Sequence, residues 1–231
     1  NRPKYDEIQR RREVTYLGGY VHTPQEGIHE GIAVFDFASL YPSITLTHHI
    51  SPETLDCSCC PGKNAIPEVN HHFCVREKGF IPSLLEQLVQ QRQEVKAELR
   101  SASGERRRFL ENRQYALKIL TNASYGYYAY PGSRWYSKVC AESITALGRV
   151  YIRQVIAFAE QKGIPILYGD TDSLFLKMRK KDVPAFGKAV NASLPGAMEL
   201  DCKGYYPAGL FVATKGGTAA KKGGKTVIGL S

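Results

Sequence analysis

Apolar positions along the chain follow two periods. Between Pro82 and about Ser101 they recur at helical spacing, with Leu84, Leu88, Val95 and Leu99 forming one stripe. Gly104 interrupts the pattern, and a second helix is predicted from about Glu105 through Thr121. Together these make a helical hairpin. A tyrosine-rich link follows, then a third helix from Cys140 to Gln161. Elsewhere the pattern is short and β-prone: Ile32-Ala33-Val34-Phe35-Asp36-Phe37, Ile164-Pro165-Ile166-Leu167-Tyr168 and Ser173-Leu174-Phe175-Leu176-Lys177 read as strands. Gly169-Asp170-Thr171-Asp172 separates the last two and has the composition of a tight hairpin turn. Residues 1–13 are charged and predicted helical, and Val14 to Val21 is predicted extended around Gly18-Gly19. Residues 51–79 read as a long loop, Asp182 to Leu194 as a helix, and Gly216 to Ser231 as a mobile Gly/Lys-rich end. Strand, helical insertion, long helix and hairpin in that order predict an α+β fold rather than alternating βαβ units.

Composition narrows the class without naming a function. The 231 residues carry 31 Lys+Arg against 22 Asp+Glu, a net charge of +9, with 43% hydrophobic and 23% charged residues. That is the make-up of a globular protein of one large or two small domains. No apolar run reaches the roughly 18 residues of a membrane helix. The chain opens Asn1-Arg2-Pro3-Lys4, with neither an initiator Met nor an apolar leader, so a fragment or processed product is expected. The basic balance favours a polyanionic partner. Residues 76–118 alone hold ten Lys/Arg against six Glu.

Four of the six cysteines crowd together: Cys57, Cys59, Cys60 and Cys74, beside His71 and His72. Three readings stay open at this point. They are a structural zinc site, a disulfide from Cys74 to Cys59 or Cys60, and reduced thiols in a surface loop. The Cys57-x-Cys59-Cys60 spacing departs from the usual Cys-x2-Cys knuckle.

Two carboxylate groupings fall where strands end. Asp36 follows Ile32 and Val34 at period two and so shares their face, and Asp170 and Asp172 flank the tip of the later hairpin. Brought together, they would form a hard oxygen site suited to Mg²⁺. Alone, an Asp-x-Asp pair in a turn is more often a capping device than a ligand.

The surrounding motifs alter that balance. Asp36-Phe37-Ala38-Ser39-Leu40-Tyr41-Pro42-Ser43 resembles motif A of the family B DNA polymerases. Lys118-Ile119-Leu120-Thr121-Asn122-Ala123-Ser124-Tyr125-Gly126 resembles motif B, and Tyr168-Gly169-Asp170-Thr171-Asp172-Ser173 resembles motif C. Tyr16-Leu17-Gly18-Gly19 is similar to the tyrosine–glycine–glycine element ahead of motif A. The elements occur in the family's order, cover nearly all of residues 1–215, and look closest to the archaeal replicative enzymes.

The resemblance implies roles. Asp36 and Asp172 match the bridging metal ligands, the Phe37 carbonyl a backbone ligand, and Asp170 a supporting catalytic carboxylate. Ser39, Leu40, Tyr41, Arg92, Lys96, Lys118 and Asn122 match nucleotide-binding positions, with Tyr41 under the sugar where its ring would block a 2′-hydroxyl. Tyr16, Gly18, Gly19, Tyr125, Gly126, Thr171, Lys215, Lys221 and Lys222 match positions along the DNA. Arg106-Arg107-Arg108 read as a solvated face, and most rings of Tyr127, Tyr128, Tyr130, Trp135 and Tyr136 as packing. Two departures stand out: Ala123 where many relatives carry Ser, and Gly223-Gly224-Lys225 where a Tyr-Ala continuation is usual.

The expected architecture is a polymerase palm interrupted by a helical-hairpin fingers module. Palm would comprise residues 1–78 and 129–231, and fingers 79–128. The implied reaction is template-directed transfer of deoxynucleotides from dNTP to a primer 3′-hydroxyl with two Mg²⁺ ions, for which Mn²⁺ could substitute. Primer–template DNA and dNTP are the implied substrates. With no exonuclease or thumb motifs in view, a thumb-bearing chain or the rest of a polymerase is the implied partner, in an intracellular, cytoplasmic or nucleoid setting. The rivals are a palm-type nucleotidyl cyclase and an inactive DNA-binding or scaffolding remnant.

Overall fold

The computed structural model describes residues 2–212 and the backbone of residues 227–230. Lys215, Lys221 and Lys222 lie outside the described residues. Helices are α1 Tyr5–Arg12, α2 Leu40–Thr47, α3 Phe80–Leu99, α4 Gly104–Ala129, α5 Lys138–Gln161 and α6 Val183–Asn191. Strands are β1 Val21–His22, β2 Gly27–Phe37, β3 Ile166–Asp170, β4 Ser173–Lys177, β5 Leu200–Val212 and β6 Val227–Leu230. They group into two units, Asn1–Gly18 with Tyr41–Leu147, and Gly19–Leu40 with Gly148–Ser231.

In the first unit, α3 and α4 form the predicted hairpin. Its seam buries Val95, Leu110 and Leu117, with Leu88, Leu99 and Ala102 packed against them. The apolar stripe differs from the predicted one by a residue. Leu84 is 41% exposed, and Ile81 and Leu85 are buried instead. Ile81, Leu85, Leu88, Val95 and Leu99 keep a spacing of three or four and its multiples, whereas Leu84 sits about 100° round the helix from Leu85. Gly79 precedes α3 at φ +73°, and a Cβ there would lie 2.6 Å from the Cβ of Ser51, so this entry needs glycine on both counts.

Helix α4 also runs further than predicted, through Ala129 rather than ending near Thr121. The tyrosine-rich stretch read as a link is its last two turns. Burial explains the difference: Tyr128 is fully enclosed and its hydroxyl donates to the Ile50 carbonyl at 2.8 Å. That anchor outweighs the poor helix propensity of Gly126 and the neighbouring aromatics. The loop 51–79 is irregular as expected, with one 3-10 turn at Pro52–Thr54 and isolated bridges at Leu55–Phe73 and Ala65–His72.

The second unit is built on one antiparallel sheet of order β1-β3-β4-β2-β5-β6. Strand β2 is central, paired with β4 on one side and β5 on the other. Its alternation sorts two faces. Phe35 packs on Phe186 of α6, which also meets Phe158 near the end of α5. Ile32 and Val34 face the other way, in a cluster with Leu167, Phe175 and Phe211.

Strand β3 is offset from the predicted run, ending at Asp170 rather than Tyr168, because β1 pairs with it at Gly169 and Asp170. Residues 14–20 pair in no strand, and Val21, the last residue of the stretch expected to be extended, opens β1. Strand β5 went unread because Gly204, Pro207 and Gly209 break its pattern, and residues 227–230 of the end predicted to be mobile pair with it as β6.

Candidate active site

The topology of the sheet gathers three carboxylates at one end. Asp36 lies one residue from the end of β2, opposite Ser173 on β4. Asp170 closes β3 and also pairs with Ser173. Asp172 occupies the two-residue turn between them. Directly opposed residues share a face, so Asp36 is on the side of Ile32 and Val34, as its period-two placement implies.

The turn is held from three sides. Thr171 sits in the left-handed region at φ +55°, an uncommon conformation for a β-branched residue. Its N–H donates to the Tyr20 carbonyl at 2.8 Å, and its hydroxyl to Asp170 Oδ1 at 2.9 Å. The Phe37 N–H donates to the Asp172 carbonyl at 2.8 Å, tying the end of β2 to the turn. Gly19 lies against Thr171 so closely that a Cβ would stand 2.8 Å from its hydroxyl oxygen.

Charge is concentrated here. Burial pushes the Asp172 carboxyl up to about 6, and the negative charges of Asp36 and Asp170 add to the rise, against a backbone hydrogen bond and the Lys203 ammonium. Carboxylates that repel one another in a half-buried setting fit a hard divalent cation, whose charge would relieve the repulsion. The donors are all oxygen, as such an ion requires.

Sequence reasoning missed two neighbours. Asp201 on β5 stands opposite Asp36, and Lys203 pairs with it at 2.9 Å. No local alternation marked them, because Gly204, Pro207 and Gly209 break the pattern of β5.

The first unit carries Tyr16, Gly18, Tyr41, Arg92, Lys96, Lys118, Asn122, Tyr125 and Gly126. Tyr41, at the start of α2, has its ring centroid 4.5 Å from that of Tyr125 on α4. The hydroxyls of Tyr125 and Tyr16 are hydrogen-bonded at 2.8 Å. Burial raises the Tyr125 phenol well above its ordinary range, and the bond to Tyr16 raises it further, so it stays neutral. Lys118 and Asn122 are exposed and four apart on α4, and Lys96 is exposed on α3. Arg92, one turn before Lys96, has its Nε buried without a hydrogen-bond partner. An orphaned guanidinium nitrogen is costly unless an anion completes it.

Ser39 turns at φ +54° and buried Leu40 opens α2, next to Tyr41 in sequence. Gly18 and Gly126 leave open space where a side chain would be. The basic run is engaged as expected of a solvated face, Arg106 with Glu98 and Arg107 with Glu111 at 2.9 Å. Trp135 stacks on Phe80 at 5.6 Å, and Arg11 covers the Tyr136 ring, so these rings serve packing.

A mixed helical and antiparallel-sheet fold of this kind occurs in the family B DNA polymerase of the hyperthermophilic archaeon Pyrobaculum calidifontis. That structure superposes with a TM-score of 0.73 at 34% identity, over 100% of this chain and 30% of that one. A sequence model of DNA polymerase family B matches residues 3–215, and the chain belongs to that family. DNA polymerases of Pyrococcus glycovorans and Thermococcus gorgonarius are 44% and 45% identical over 224 residues, 93% of this chain and 29% of each relative. DNA polymerase 1 of Pyrococcus abyssi is 42% identical over 235 residues, covering 98% of this chain and 30% of the relative. The chain thus spans under a third of the length of these relatives.

Proposed function

We propose that this chain is the nucleotidyl-transfer portion of a DNA polymerase, adding deoxynucleotides from dNTP to a primer 3′-hydroxyl under the direction of a template strand. The observation that carries the reading is the convergence of Asp36, Asp170 and Asp172 at one end of the sheet in a family B chain.

The carboxylates of Asp36 and Asp172 and the carbonyl of Phe37 would hold two Mg²⁺ ions, or Mn²⁺ in their place, with Asp170 supporting them. When bound, such ions activate the 3′-hydroxyl and neutralise the triphosphate and leaving pyrophosphate. Arg92, Lys96, Lys118 and Asn122 bind the triphosphate, a guanidinium matching phosphate geometry and an ammonium supplying charge. The backbone amides of Ser39, Leu40 and Tyr41 add donors at the start of α2. The Tyr41 ring, backed by Tyr125, excludes a 2′-hydroxyl. Tyr16, Gly18, Gly19, Tyr125, Gly126 and Thr171 lie along the primer–template duplex, as do Lys215, Lys221 and Lys222. Residues 1–78 and 129–231 act as palm and 79–128 as fingers, within a larger or split polymerase.

Primer extension by the full chain, with and without the remaining polymerase regions supplied, tests this. Extension that is lost in Asp36→Asn and Asp172→Asn is expected. Undiminished extension by either variant would sink the assignment. DNA binding without extension in every combination would favour a scaffolding role.

A further inference from the structure

The loop between α2 and α3 gathers four cysteines that the proposed reaction does not use. The sulfur atoms of Cys57, Cys59, Cys60 and Cys74 all lie within 4.8 Å of one another. Cys57 to Cys60 is 3.0 Å, Cys57 to Cys59 3.6 Å, Cys59 to Cys60 3.7 Å, Cys59 to Cys74 3.4 Å and Cys60 to Cys74 3.7 Å. Four thiolates at about 2.3 Å around one tetrahedral ion would stand about 3.8 Å apart. The four sulfurs therefore already approximate a coordination tetrahedron with room for a single ion at its centre. From these distances we infer that Cys57, Cys59, Cys60 and Cys74 bind one structural Zn²⁺.

Two of the four sulfurs, those of Cys74 and Cys60, have surroundings that favour a thiolate. Backbone N–H groups of Arg76 and Glu77 point at Cys74 Sγ at 3.4 and 3.3 Å, and that of Val75 at Cys60 Sγ at 3.4 Å. Donors aimed at sulfur favour the anionic ligand. The next shell is also ordered. His72 Nε2 lies 3.0 Å from the Cys57 carbonyl oxygen, His49 Nδ1 3.0 Å from that of Cys74, and Asp56 is 2.7 Å from His71. Partners behind the ligands fix their orientation.

Other uses of four cysteines fit less well. A disulfide would draw two sulfurs together and leave two aside, yet all six cysteines are unpaired and four converge. An iron–sulfur cluster distributes its four thiolates over two or four irons, which needs the sulfurs spread more widely than around one ion. With four protein ligands the site is closed, so its role is to fix structure rather than to catalyse. It fastens the loop shortly before α3 begins at Phe80, where a segment with little regular structure must hold a helix entry in place. Binding would release the thiol protons and is favoured as pH rises.

The experiment uses the full chain, purified under reductant, exposed to ZnCl₂ and then washed free of loose metal. Mass spectrometry is expected to find one zinc per chain. CoCl₂ in its place should give the visible bands of tetrahedral cobalt thiolate, a readout that does not need polymerase activity. Thiol titration of the zinc-loaded chain should show four slow cysteines that become reactive once a chelator is added. Cys74→Ser should weaken zinc retention by at least about tenfold, while Cys202→Ser, outside the cluster, should retain it. The wild-type stoichiometry and the cobalt spectrum decide the matter even if Cys74→Ser fails to fold. A reduced, folded chain that holds no zinc overturns the inference. So does a zinc-free chain lacking two titratable thiols, which means a disulfide, or one carrying iron and sulfide.

Discussion

Replacing Asp172 by Asn should make the metal-free protein more stable while abolishing catalysis. The carboxyl has its folded pKa raised from 3.8 to about 6, chiefly by burial and then by Asp36 and Asp170. A carboxylate raised in this way binds its proton more tightly in the folded state than in the unfolded one, so folding is opposed once it ionises. The cost is absent below about pH 4, grows as pH rises toward 6, and is complete above that. A rise of roughly two units would correspond to about 3 kcal/mol for an insulated group, at about 1.4 kcal/mol per unit. Asp172 is only half-buried, and solvent screening reduces this to about 1 kcal/mol. For a chain of this size that is a gain in Tm of about 2–4 °C. Thermal melts in a chelator, from about pH 4 to pH 8, compare the variant with the wild type. Their difference should be near zero at the acid end and open as pH rises, and Mg²⁺ should then close it by stabilising only the wild type. A variant no more stable than wild type at neutral pH, or a gap that does not grow with pH, would refute the claim that these carboxylates repel one another.

Gly19→Ala should push the Thr171 turn and lower extension about tenfold, and adding Thr171→Ala should recover much of the loss, a coupling that a double-mutant cycle measures. Tyr41→Ala should raise ribonucleotide incorporation more than it depresses deoxynucleotide use, and an unchanged ratio in competition assays would make Tyr41 a packing residue only. Arg92→Ala and Lys118→Ala should each weaken nucleotide use by about 1.5–3 kcal/mol, read as a raised KM or lowered kcat. Arg107→Ala should cost less than about 0.5 kcal/mol, since its exposed pair with Glu111 contributes little. Equal effects at all three positions would point to a diffuse basic patch.

Much of the site was legible because its residues lie in local patterns. Asp36 shares a face with Ile32 and Val34 by simple alternation, and Asp170 and Asp172 bracket a turn whose composition announces itself. The helical hairpin was visible from its periodicity, yet Leu84 and Leu85 were exchanged, since adjacent leucines allow either to lie on the seam until the partner helix is known. The end of α4 was hidden for a different reason. Its last turns owe their shape to the burial of Tyr128 and its bond to a carbonyl 78 residues away in sequence, which no local window contains. Asp201 and Lys203 were missed because β5 is a strand by virtue of its partner β2 rather than its own alternation. The convergence of four sulfurs likewise depends on how the loop closes on itself, so spacing alone left three readings open.

The place of β2 has a consequence for biosynthesis. This apolar strand is made before both of its neighbours, so one edge waits for β4, whose first residue is Ser173, and the other for β5, beginning at Leu200. The α3–α4 hairpin, built from sequence-local contacts, can form while the ribosome is still translating. Until the later strands emerge, β2 presents two bare edges to its surroundings, the state most open to association with other nascent chains. Slow or interrupted translation after the hairpin would therefore favour aggregation. Chaperone capture is expected to peak at chain lengths between the hairpin and β4.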